Sequence, residues 1–134
     1  MAHILVVEDE AVISMMVEAW LADLGHELVG PAPTIAAALK LIETRDFDAA
    51  IIDLSLDGRH TYEIADALRL KGIPFAWGTG YRARDIEPAY RDEPIVAKPY
   101  AFDAFSNTVA LLISGRDSKI ACAPQYDNPG PYQD

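Results

Sequence analysis

Asp48-Ala49-Ala50-Ile51-Ile52-Asp53-Leu54-Ser55 is a short run of small or branched apolar residues closed by an acid. Four such residues in a row between polar ones predict a strand buried on both faces, as in parallel sheets covered by helices above and below. Asp53 falls where that strand leaves the sheet. Acids are seldom buried without a partner, and open α/β sheets place their ligands at the carboxyl ends of strands. Asp53 is therefore the candidate centre of a site.

Upstream, Ile4 to Val7 predicts a first strand that runs straight into Glu8-Asp9-Glu10. Ile13, Val17, Trp20, Leu21 and Leu24 recur at helical spacing, which predicts a helix over 11–24 with Gly25 as its stop. His26 to Ala32 reads as a second strand, at a sheet edge because it contains Gly30 and Pro31, and Thr34 caps a second helix to about Thr44. Downstream, a loop over 55–60 leads to a third helix over about 61–70, closed by Gly72. Ile73 to Gly78 is a fourth strand ending at Thr79. The stretch 80–94 is the least regular, with Pro88 and Pro94 limiting any helix to a turn or two. Ile95 to Ala97 is a short fifth strand ending at Lys98-Pro99, and Phe102, Phe105, Val109 and Leu112 line one face of a last helix over 102–113. Strands alternating with helices imply one parallel sheet with right-handed crossovers and helices on both faces, a doubly wound α/β fold. Residues 1–114 form this domain. Residues 115–134, with Pro124, Pro129, Gly130 and Pro131 and no apolar period, are expected to be disordered.

Composition narrows the function. The 134 residues are 51% hydrophobic and 24% charged, ordinary for one globular domain with a sizeable core. A formal charge of −10 argues against binding nucleic acid through bulk electrostatics. The N-terminal apolar run is too short for a signal peptide or a membrane span. With a single cysteine, Cys122, there is no internal disulfide framework, so a reducing cytoplasm is the expected compartment. One Cys and three His offer no zinc-ligand spacing.

Four strands end in chemically active residues: Glu8 and Asp9, Asp53, Thr79, and Lys98. In a parallel sheet these ends share one edge, so residues far apart in sequence converge on one cleft. Carboxylates brought together there repel by roughly 4 kcal/mol per pair at about 4 Å and an effective dielectric near 20, so a cation belongs among them. Oxygen ligands suit a hard ion such as Mg²⁺, which binds through one or two carboxylates plus a phosphate. Lys98 adds a second positive charge and Thr79 a neutral donor. The set fits phosphoryl transfer, in which the protein positions groups and neutralises oxygens, with Asp53 as nucleophile forming an aspartyl phosphate.

These motifs, Val6-Val7-Glu8-Asp9-Glu10, Ile51-Ile52-Asp53-Leu54 and Lys98-Pro99, resemble those of the receiver domain of two-component response regulators, over about residues 3–113. The resemblance implies a flavodoxin-like (βα)5 fold with strand order 2-1-3-4-5. It implies that Glu8, Asp9, Asp53 and the backbone carbonyl of Ser55 hold Mg²⁺, that Lys98 pairs with the phosphoryl group, and that Thr79 turns toward it. It also implies a cis Lys98-Pro99 peptide and a histidine kinase or histidine phosphotransferase as phosphodonor. Val12, Met15 and Ala19, an apolar strip on the first helix beside the acids, would be the donor's docking face. Signalling would then pass to a downstream protein target by direct contact, with no nucleic acid and no membrane involved.

The chain departs from the common receiver pattern in three places. Ile95 stands three positions before Lys98, where many receivers carry a switching aromatic. Phe75-Ala76-Trp77-Gly78-Thr79-Gly80-Tyr81 is instead similar to a subgroup of stand-alone receivers whose fourth strand reads Phe-Ala-Thr-Gly-x-Tyr, which makes Tyr81 the switch candidate. Only nineteen positions separate Thr79 from Lys98, so the fourth helix is expected to be short or irregular. Two rival readings are a phosphorylation-independent receiver-like binding module and a small aspartyl-phosphate phosphatase. The latter is disfavoured because Ser55 stands where a second Asp would serve as general acid.

Overall fold

The computed structural model describes residues 1–80 and 83–121, with side chains described for residues 1–80 and 84–114. Tyr81, Cys122 and residues 122–134 of the stretch 115–134 expected to be disordered lie outside the described residues, whereas 115–121 are helical. Five strands, β1 (His3–Val7), β2 (Glu27–Ala32), β3 (Ala49–Asp53), β4 (Phe75–Thr79) and β5 (Ile95–Ala97), form one sheet in the order β2-β1-β3-β4-β5. Every pairing in it is parallel. The order is the flavodoxin-like one expected from the sequence, with β3 at its centre and all five of its residues buried.

Alternation along the strands divides the interior in two. Leu5, Val7, Ala50, Ile52, Phe75 and Trp77 pack under α2 (Ile35–Thr44) and α3 (Tyr62–Leu70). Ile4, Val6, Ile51, Ala76 and Val96 pack under α1 (Ala11–Asp23) and α4 (Phe102–Ala121). Thr34 caps α2, its hydroxyl accepting from the Ala37 amide at 3.0 Å. Gly30 sits at φ +101 in edge strand β2, where an added Cβ would lie 2.9 Å from Ala32 N and 3.1 Å from the Val6 carbonyl oxygen. Glycine is needed there, and the β1–β2 register shifts beside it, between Leu5 and Val7.

Two elements differ from the sequence reading, and the segment between them in the chain takes the short, irregular form expected of it. The loop after Asp53 contains a small antiparallel pair, Ser55–Leu56 with Arg59–His60. Asp57 and Gly58 turn it at φ 50 and φ 81, the paired left-handed conformation of a two-residue hairpin. The irregular stretch before β5 holds two single-turn 3₁₀ segments, Ala83–Asp85 and Pro88–Tyr90, in place of a fourth α-helix. Finally, α4 extends to Ala121, beyond the expected end at 113. Gly115 weakens a helix by only about 1 kcal/mol relative to Ala, and the first proline that could stop it is Pro124.

The 3₁₀ stretch is anchored by aromatic stacking. Tyr90 lies flat on Tyr62, centroids 4.4 Å apart, and donates its hydroxyl proton to Asp66 at 2.8 Å. Ile86 between the two turns is fully buried.

Candidate functional site

Parallel strands bring the predicted residues to one edge. Val6 pairs with Ile51, so Glu8 just past β1 stands beside Asp53, and Asp53 pairs in turn with Gly78. These residues share the face covered by α1 and α4. Lys98 follows β5 and reaches back across the edge. Its ammonium lies 2.9 Å from Glu8 Oε1 and 3.0 Å from Asp53 Oδ2, bridging two acids that are 90 and 45 positions away in sequence. Glu8 is 3% exposed and Asp53 9%. Thr79, also buried, ends β4 at the same edge, while Asp9 is exposed at the rim. The Lys98-Pro99 peptide is cis, as expected.

Backbone groups fix the remaining oxygens. Ser55 N–H donates to Asp53 Oδ1 at 3.2 Å, Glu10 N–H to Glu8 Oε2 at 3.2 Å, and Asp57 N–H to Asp9 Oδ2 at 3.3 Å. The turn at Asp57-Gly58 thus delivers an amide to the rim acid. One carboxylate oxygen from each of Glu8, Asp9 and Asp53 lies within 4.8 Å of the other two. Three negative charges against the one ammonium of Lys98 leave the cluster two charges short of neutrality. A set of hard oxygen donors with that deficit fits a divalent cation.

Burial pushes the Glu8 carboxyl above its ordinary value, and the Lys98 ammonium, which pulls it down, only partly offsets this. Burial alone would make Lys98 less basic. Its hydrogen bonds to Glu8 and Asp53 and the attraction of both charges outweigh that, so the lysine is more basic than usual. Both shifts hold protons in the site, as expected where acids outnumber bases.

A model of the response regulator receiver domain matches residues 4–105. The chain belongs to the response regulator receiver family. Among curated proteins the receiver is 30% identical over 116 residues to the transcriptional regulatory protein PdtaR of Mycobacterium tuberculosis, a match over 84% of this chain and 57% of PdtaR. It is 32% identical to the phyllosphere-induced regulator PhyR of Methylorubrum extorquens, over 73% of this chain and 38% of PhyR. The receiver thus spans little more than half of the first and well under half of the second. Among solved structures, beryllofluoride-activated SdrG from Pseudomonas melonis is 38% identical with TM-score 0.73, covering 83% of this chain and 95% of SdrG. PhyR from Brucella abortus is 26% identical with TM-score 0.80, covering 93% of this chain and 53% of PhyR. No helix among the described residues is long and apolar enough to cross a membrane.

Of the residues singled out in the sequence, Glu8, Asp53 and Lys98 touch directly, Asp9 completes the acidic group and Thr79 stands at the same edge. Ser55 contributes its amide to Asp53. Tyr81, the switch candidate, lies outside the described residues. Val12 and Met15 on α1 are 78% and 67% exposed, and Ala19 is exposed as well. A cavity of about 360 Å³ lies at the far end of the strands, lined by His3, Asp48 and Ile73 among others, and contains none of the site residues.

Two contributors went unread in the sequence. Thr61, expected only as the start of α3, buries its hydroxyl completely and donates to the backbone carbonyls of Asp53 at 2.7 Å and Leu54 at 3.1 Å, clamping the strand end that carries the acid. Tyr100, two residues after Lys98, packs on the same face, its ring 5.8 Å from Phe105 and 5.7 Å from the Lys98 ammonium. A Ser/Thr placed eight residues after the acid, and a Gly at the in-register neighbour of Asp53, were the available signals.

Proposed function

We propose that this receiver accepts a phosphoryl group on Asp53 from a phosphohistidine protein and signals through protein contact. The observation that carries the reading is the Lys98 ammonium held between Glu8 and Asp53 at hydrogen-bond distance. It sets a fixed cation against Asp53 Oδ2, in a site whose three acids are grouped closely enough for a second one.

In the transfer, an Asp53 carboxylate oxygen attacks the phosphorus of the donor. The oxygen–phosphorus bond forms as the phosphorus–nitrogen bond breaks, and the imidazole leaves and takes up a proton from solvent. Lys98 turns from the carboxylate toward the incoming phosphoryl oxygens, and Thr79 donates its hydroxyl to them. Glu8, Asp9, Asp53 and the Ser55 carbonyl would hold Mg²⁺, which when bound would neutralise charge on the phosphoryl oxygens. Loss of the signal is attack by water on phosphorus, returning the Asp53 carboxylate and inorganic phosphate. The protein is in this sense a phosphoacceptor acting on itself, working in the cytoplasm through residues 1–114.

The donor is a histidine kinase or phosphotransferase that docks on the exposed strip of Val12, Met15 and Ala19, an adaptable apolar surface beside the acids. The test is intact mass after incubation with Mg²⁺ and acetyl phosphate. Wild type gains one phosphoryl group and Asp53→Asn gains none. A wild type that binds Mg²⁺ but stays unmodified with both acetyl phosphate and phosphohistidine donors would sink the reading in favour of a phosphorylation-independent binding module.

A further inference from the structure

Gly78 lies in register with Asp53 on the neighbouring strand, so a side chain there would stand next to the acid on the same face. Glycine leaves that place empty, and Tyr100 fills it. A Cβ built on Gly78 would overlap the Tyr100 hydroxyl outright and fall 2.8 Å from Tyr100 Cζ and 3.1 Å from Cε1. The chain after Lys98-Pro99 therefore folds a ring back over β4 and lodges its oxygen in the row that runs from Glu8 through Asp53.

From this placement we propose that Tyr100 is a further binding residue of the phosphoacceptor site, its neutral hydroxyl donating to the phosphoryl group when Asp53 carries one and stabilising that state. The inference rests on the phosphoacceptor reading above and goes beyond it to a residue outside the acid–lysine set. Three observations support it. Among the described residues the hydroxyl has no hydrogen-bond partner, whereas Asp53 and Glu8 already accept from Lys98 and from backbone amides. Burial and the nearby charges of Glu8 and Asp53 push the phenol well above its ordinary range, so it stays protonated and can only donate toward added negative charge. The ring is seated against Phe105 of α4 and beside Lys98, which restricts where the oxygen can go.

The experiment measures Mg²⁺ affinity by calorimetry, and beryllofluoride affinity with Mg²⁺ present by ¹⁹F NMR, on the full chain. Tyr100→Phe is expected to bind beryllofluoride roughly tenfold more weakly while Mg²⁺ affinity and Tm stay near wild type, since one hydrogen bond to a charged group is lost and no metal ligand is touched. Gly78→Ala, which evicts the hydroxyl and presses on the ring, should weaken beryllofluoride binding at least as much. Unchanged beryllofluoride affinity in Tyr100→Phe would overturn the proposal. So would parallel losses in both affinities and Tm, which would assign the ring to packing alone. If wild type itself binds neither beryllofluoride nor phosphate, the phosphoacceptor reading fails and this one with it, a result distinct from failure of the Tyr100 variants alone.

Discussion

Trp77 Nε1 donates a hydrogen bond to the backbone carbonyl of Tyr90 at 2.9 Å, tying the strand that ends in Thr79 to the irregular segment thirteen residues on. The indole is fully buried and meets Phe75 and Tyr62 edge-on, at centroid distances of 5.5 and 5.8 Å. One side chain thus ties the strand that leads to Thr79 to the segment between β4 and β5. Trp77→Phe removes the donor and leaves a void, and is expected to destabilise the fold by about 2 kcal/mol. Hydrogen exchange should rise first in residues 86–91, and uniform exchange across the sheet would contradict the tie.

Glu8 is the acid that resists ionisation. Its folded-state value lies above the ordinary 4.5, so between the two the folded chain binds more protons than the unfolded one, and stability falls as pH rises through that window. Glu8→Gln lacks this term and keeps an acceptor for Lys98. Without divalent cation its Tm should gain on wild type as pH climbs from about 4.5 to neutrality. With Mg²⁺ added the order is expected to reverse, because losing one of the three carboxylates proposed to hold the ion should weaken binding by roughly tenfold or more. Lys98 adds a second pH limit: its stabilisation is present at neutral pH and lost only as pH rises through a folded value above 10.5.

Thr61→Val keeps shape but removes the hydroxyl that bonds the Asp53 and Leu54 carbonyls. Denaturant unfolding should show a loss of about 1–2 kcal/mol. Phosphorylation by acetyl phosphate should slow as well, since the strand end bearing the acid loses its clamp.

Met15→Glu tests the α1 strip. Transfer from a phosphohistidine donor should fall roughly tenfold, the scale of a central contact in a protein interface, while the rate with acetyl phosphate holds. Equal losses with both donors would remove the docking role.

Much of this was legible in the sequence because strand ends are chemically marked. Asp53 and Lys98 each close an apolar run, and parallel pairing alone brings them to one edge. Irregularity between Thr79 and Lys98 was equally legible, since Pro88 and Pro94 leave no room for a long helix. Other features depend on contacts that no local pattern reports. The Tyr100 hydroxyl meets Gly78 across 22 positions, and the relevant signal is an absent side chain. Thr61 reads as a helix start because Ser/Thr residues favour such places, yet here its hydroxyl turns backward to the strand. Asp57-Gly58 carried a hairpin signature that the flanking residues, too few for strands, obscured.

Gly30 and Pro31 in β2 bear on more than register. An edge strand normally offers a ladder of unpaired amides to any extended chain that drifts past. On this side the ladder is broken by a residue at φ +101 and by one with no N–H to give. On the other side β5 is only three residues long. Both margins are therefore poor templates for strand addition, which guards the domain against fibril-like self-association and leaves its helices and loops as the surfaces by which other proteins can hold it.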